Sequence, residues 1–358
     1  MKDEYIIPDI QYQAPDYVGQ SVDKVGIDHF MLHFGLWSNH YSKRLQQAGI
    51  RYNPESKTLK MTCDANSHLQ IYNPVANFWD AITYVGLLSM YENKFVTGDV
   101  KELIGTVGSE EINLFCVSAD SSDICNALGY KHKGESFNEI TESINNLSLM
   151  TALYRVKGDA NLKGTELEGC HITKKGKGRI IENRTIRFVY KYVRKEIKHG
   201  SGENVLLLDG DFIRHCHIGK YTIRYKKLFE LRGKLNKKKL KNEAVLGLYL
   251  YLLGNVATNK EKGRYYPIHW IQEYFQIVTP KLISDLPVDQ KLFGVQQEIY
   301  AEVVKKYRTD LRNALDKLQE LGLIQGWKAC FEKGFKRDKR AKSNYVNLEK
   351  AKGLKIWM

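Results

Sequence analysis

The chain has 358 residues, 43% of them hydrophobic, enough to build two ordinary domains with buried cores and too apolar for a largely disordered protein. The opening MKDEYIIPDI lacks a basic region followed by an apolar run. The longest apolar stretch, Val245 to Ala257, falls short of the ~20 residues that a bilayer requires, so a cytoplasmic protein is expected. Its six cysteines are scattered without a CxxC, which argues against a disulfide framework and against a cysteine-ligated zinc.

The formal net charge of +14 is unevenly distributed. Residues 1–156 carry 12 basic and 19 acidic side chains, whereas residues 157–358 carry 43 and 22. Such a split points the later part at a polyanion and leaves the earlier part for another task.

Residues 1–77 carry few helix signals, and Leu69–Tyr72 is strand-like. A helix with one buried stripe is predicted from Phe78, through Ile82 and Val85. Ile112–Val117 follows as a strand, then a short helix stopped at Gly129. Ser136 and Glu139 have the spacing of a capping box, and Phe137, Ile140, Ile144 and Leu147 form the buried face of the next helix. Leu149–Val156 and Arg179–Tyr192 read as strands around a long polar loop. The segment His199–Gly202 is the best candidate for a linker, and Asp209–Gly210 suggests a hairpin turn.

Beyond it, Lys226–Lys241 holds eight Lys or Arg against one acid and leads into an apolar helix from Glu243. Tyr266–Phe275, with Pro267 near its start, is a second helix, and 279–294 looks like an insertion. The third helix is predicted from near Glu302, with Val304, Tyr307, Leu311, Leu315 and Leu318 buried and Gly322 at its C-cap. The order of helix, helix, helix, strand, basic loop and strand thus occurs twice. The expected fold is α+β: an N-terminal extension over 1–77 and two tandem winged-helix domains over 78–200 and 201–358.

Opposite the apolar stripe of the last helix stand Lys305, Arg308, Thr309, Arg312 and Asn313, expected in its first three turns, where a helix in the major groove reaches base edges. Arg pairs bidentately with guanine and Asn with adenine, which is what gives these types meaning there. The following loop, with Lys333, Lys336, Arg337, Lys339, Arg340 and Lys342, has no apolar anchor and suits phosphate contacts. The first basic loop offers Lys174, Lys175, Lys177 and Arg179, but the helix before it carries Glu139 and Glu142, which would repel phosphates.

There is no GxxxxGK[ST] phosphate loop and no HExxH, and no cofactor or metal is expected. The one enzyme-like fragment is His215-Cys-His217 with Tyr221 and Tyr225, which invites comparison with metal-dependent nicking by a tyrosine nucleophile.

Two winged helices in tandem, a basic second half and no ATPase motif together resemble the replication initiators of iteron-type plasmids, most sharply over the stretch LRNALDKLQELGLIQGW. The resemblance covers about residues 78–350; the long region before 78 departs from it. It implies a non-enzymatic protein, plasmid- or nucleoid-associated, that binds double-stranded DNA at origin repeats, opens an AT-rich stretch and recruits host helicase and initiator proteins. In that family the second domain reads the major groove, here through Lys305, Arg308, Thr309, Arg312 and Asn313, the loops touch backbone, and the first domain contributes to a homodimer. A transcriptional regulator on the same fold and the nicking enzyme remain as alternatives.

Overall fold

The computed structural model describes residues 24–27, 31, 36–50, 59–60, 66–72, 76–97, 100–107, 110–130, 134–158, 180–196, 202–210, 212–213, 222–237, 239–253, 263–277, 294–331, 348 and 351–358. They form an α+β fold with small antiparallel sheets.

Its centre is the helix Phe78–Thr97 (α2), buried on all sides from Phe78 to Tyr91 because its apolar residues ring the axis. Asn77 starts it with a reciprocal cap: its Oδ1 accepts from Trp79 N, and Asp80 Oδ2 accepts from Asn77 N at 2.9 Å. The helix continues into a hairpin of Val100–Val107 (β4) and Glu110–Asp120 (β5). Asp120 then caps the short helix Ser121–Ala127 (α3), accepting from Asp123 N. Helix Gly134–Leu149 (α4) buries Ile140, Ile144 and Leu147 as its spacing predicts. It begins two residues before Ser136, so the expected capping box lies inside its first turn, and Glu139 instead accepts from the Tyr130 hydroxyl.

Strands Thr151–Gly158 (β6) and Ile180–Arg187 (β7) pair antiparallel around the polar loop, in a sheet with Leu59–Lys60 (β2) and Asn66–Tyr72 (β3) ordered β2-β3-β6-β7. A single residue, Phe188, separates β7 from Val189–Glu196 (β8), which belongs to a different sheet. Phe188 is fully buried, with its ring centroid 4.7 Å from that of Tyr84 and 5.6 Å from that of Trp37. Strand β8 pairs with Gly202–Asp209 (β9), completing the order β4-β5-β9-β8. The stretch expected as a linker at 199–202 therefore connects two paired strands, and Asp209 caps the following turn by accepting from Phe212 N rather than forming a hairpin with Gly210.

The basic segment becomes helix Tyr225–Lys234 (α5), whose buried Arg232 lies over the Tyr130 ring at 4.2 Å and reaches Thr83 of α2. Helix Leu240–Leu253 (α6) is buried along most of its length, and a side chain on Gly247 would meet the Phe78 ring at 2.6–2.9 Å, so α6 crosses α2 closely there. Next come strand Arg264–Pro267 (β11), helix Ile268–Tyr274 (α7), helix Val295–Glu320 (α8), and strands Gly326–Cys330 (β12) and Gly353–Trp357 (β13). Their sheet order is β11-β13-β12. Gly322, at φ +67°, takes the left-handed position just beyond α8.

The segment before residue 78 is built into both halves. Strand Lys24–Gly26 (β1) pairs with Thr222–Arg224 (β10), β3 pairs with β6, and helix His40–Gln47 (α1) packs on α8. Trp37 is fully buried and donates its indole N–H to Met31 O.

Candidate nucleic-acid interface

Helix α8 starts at Val295, about two turns earlier than its sequence suggested, because Gln296 replaces an apolar anchor with a hydrogen bond from its Nε2 to Ala48 O beside α1. The residues expected in its first three turns therefore lie in its middle. Lys305, Thr309 and Asn313 are exposed there, Arg308 and Arg312 half-buried, and Lys306, which the sequence reading passed over, is exposed beside them. Thr309 donates its hydroxyl to Lys305 O, leaving its oxygen lone pairs outward. Arg308 lies near Tyr300, whose hydroxyl is pushed up to about 12 by burial against the opposing pull of Arg308.

One carboxylate falls between residues 305 and 313, and it points inward. Asp310 is buried, accepts from the Tyr41 hydroxyl at 2.7 Å, and lies 3.9 Å from Lys306 Nζ. Burial, reinforced by Asp310, drives Tyr41 far above the ordinary tyrosine range, so it remains a donor. The neighbouring His40 hydrogen-bonds through Nδ1 to Glu243 of α6 at 2.7 Å, and its backbone N–H donates to the same carboxylate. Helix α1 thereby supplies partners to two buried acids, Asp310 of α8 and Glu243 of α6. The exposed acids of the helix, Glu298, Glu302, Asp316 and Glu320, lie towards its two ends. Between them is a window of four cations, one amide and one hydroxyl.

At its C-terminal end α8 meets α5 across a shallow cleft lined by Lys227, Glu230, Leu231, Lys234 and Leu321–Leu323. Lys226, Lys227, Lys234, Lys239 and Lys241 are exposed, so basic groups also flank this end of the helix. The second loop's Lys333, Lys336, Arg337, Lys339, Arg340 and Lys342 lie outside the described residues, as do Lys174, Lys175, Lys177 and Arg179 of the first loop. His215, His217 and Tyr221 lie outside them too, whereas Tyr225 begins α5 with its ring 5.2 Å from Phe229. Among the described residues no helix is long and apolar enough to cross a membrane.

No protein-family model and no curated protein sequence matches the chain. Among solved structures, a selenomethionine derivative of domains 2 and 3 of RctB aligns over 78% of this chain and 86% of its own, with 12% identity and a TM-score of 0.37. A second structure of RctB domains 2–3 aligns over 66% of this chain and 88% of its own, with 11% identity and a TM-score of 0.29. Similarity at that level assigns neither fold nor function.

Proposed function

We propose that this chain is a sequence-specific, double-stranded-DNA-binding replication initiator of the tandem winged-helix type, acting without a catalytic centre of its own. The observation that carries the reading is the middle of α8, where Lys305, Lys306, Thr309 and Asn313 are exposed, Arg308 and Arg312 half-buried, and the lone acid is buried. A helix presenting such a window can enter the major groove, its Arg and Asn side chains reading base edges. Supporting it, the order α6-β11-α7-α8-β12-β13 with strands ranked β11-β13-β12 is compatible with a winged helix, and the basic stretch 332–347 falls between β12 and β13 in the sequence. Helices α3 and α4 followed by the β6–β7 hairpin supply the second, earlier helix pair with a basic loop. In this reading the wings hold phosphates, and the less basic first half serves self-association and host replication proteins.

The deciding experiment is selection of bound fragments from the source replicon, followed by footprinting at near-physiological salt. Protection of an array of direct repeats beside an AT-rich segment is the expected result. A single inverted repeat over a promoter would replace the initiator by a transcriptional regulator. Nicked supercoiled plasmid carrying covalently attached protein, after incubation with magnesium or manganese, would overturn the non-enzymatic part.

A further inference from the structure

The sheet β11-β13-β12 has a second face, turned away from the helices. Tyr266, Leu354, Ile356 and Ala329 occupy the core side and are buried. The alternate positions form the outer side, and the register sets Tyr265, Lys355 and Lys328 in one row across the three strands. Tyr265 is 49% exposed although it is a large aromatic, and Lys328 is exposed. The Tyr265 ring lies across Gly353, where any β-carbon would collide with Cε2, Cζ and Oη. The Trp357 indole lies across Gly263, 2.7–2.9 Å from where a β-carbon would stand, and Lys355 Nζ is 5.4 Å from the Trp357 ring centroid. No acid occurs in RYYP, GWKAC or GLKIW.

Covering a strand glycine with an aromatic ring is a known way to shield backbone, and that alone would account for the two rings. It does not account for the lysine row beside them, or for an outer ring face left open to solvent on Tyr265. A flat open ring flanked by cations, on strands that carry no acid, is the chemistry that holds unpaired bases: the ring stacks a base and the lysines take the phosphates. A paired duplex cannot use it, because its base faces are already stacked. We propose that the outer face of this sheet binds single-stranded nucleic acid, with Tyr265 as the stacking platform, Lys355 and Lys328 as phosphate contacts, and Trp357 positioning Lys355 through a cation–π contact. The proposal rests on the DNA-binding reading for the class of polymer and extends it to the unpaired form.

The test measures anisotropy of the full chain on two fluorescein-labelled probes, an oligothymidylate of about 20 nucleotides and a duplex of the selected site. Tyr265→Leu should weaken oligothymidylate binding about tenfold or more, Tyr265→Phe should restore it, and duplex binding should be unchanged in both. Lys328→Gln with Lys355→Gln, which leaves both rings in place, should weaken the single strand and flatten its salt dependence. Unchanged oligothymidylate binding in Tyr265→Leu or in the double lysine variant overturns the proposal and leaves the rings as glycine covers only. Should Tyr265→Leu fail to fold, the lysine variant decides alone. In the unmodified protein, duplex binding without single-strand binding removes the platform but not the initiator. Single-strand binding without duplex binding does the reverse.

Discussion

The buried acid of α8 takes its closest hydrogen bond from a single phenol. Tyr41 donates to Asp310, a buried carboxylate whose other polar neighbours, Lys306 Nζ at 3.9 Å and His40 Nε2 at 4.0 Å, stand farther off. Tyr41→Phe keeps the ring and removes the donor, so it should lower stability by about 1–3 kcal/mol, the cost of leaving such a group unsatisfied. Urea unfolding of the two proteins checks this, and equal midpoints would show that Asp310 finds another donor. Asp80 makes an opposite case. Burial raises its pKa above the usual 3.8 despite the nearby Ser143, hydrogen bonds from Asn77 N and Asn146 and the charge of Lys237, which pull it down. The folded chain therefore holds this proton more tightly than the unfolded chain. Its stability should fall as pH rises from 3.8 towards the raised value and level off above it. Asp80→Asn, which can still accept from Asn77 N, should flatten that part of the profile; an unchanged slope would assign it to other groups.

Among the elements, α8 offers the clearest separation of reading from holding. Arg312→Ala should cost about 1–3 kcal/mol at the selected site and relax preference at one base position, whereas Lys339→Ala should weaken all sequences alike and lower the salt slope. Identical behaviour of the two variants in competitive binding would show that the helix and loop have been assigned wrongly. Much of this element was legible in the sequence, because Tyr307, Leu311, Leu315 and Leu318 repeat at helical spacing and Gly322 marks the exit. The stripe continues upstream through Val303 and the half-buried Ile299 and Tyr300, but Gln296 interrupts it with a polar side chain whose partner lies 248 residues away in sequence. Periodicity reports what a helix buries and not what it bonds. The central helix α2, the stop at Gly129 and the exit at Gly322 were local and readable; the partner of Asp310 lies in α1 and was not.

In the whole molecule the same limit shows in the sheets. Individual strands such as β5 and β6 carry their own apolar signature, yet the pairing of β3 with β6 and of β1 with β10 joins distant parts of the chain. For that reason the first 77 residues read as an appendage, while their described strands β1 and β3 and helix α1 pack against later parts of the chain. Removing them strips Glu243 and Asp310 of their donors and uncovers the surfaces that bury Trp37, Tyr41 and Leu45. Each lost charged hydrogen bond is worth about 1.5–3 kcal/mol and each large apolar side chain a similar amount, together comparable with the roughly 5–15 kcal/mol that holds a domain folded. A chain of residues 78–358 should therefore show no cooperative thermal transition by circular dichroism; a melt at the full-length temperature would make the segment dispensable.

That packing also fixes an order of events during synthesis. Tyr41 leaves the ribosome long before Asp310 exists, and at about 5–20 residues per second the wait is roughly 15–50 s. Through that interval α1 has no α8 to receive it, so the nascent chain carries Tyr41 and Leu45 without that cover. Two-state folding cannot begin from the N-terminus, and closing so long a loop makes the last step slow. Until α1 folds back upon it, the helix that presents the cationic window keeps its buried acid without the Tyr41 donor.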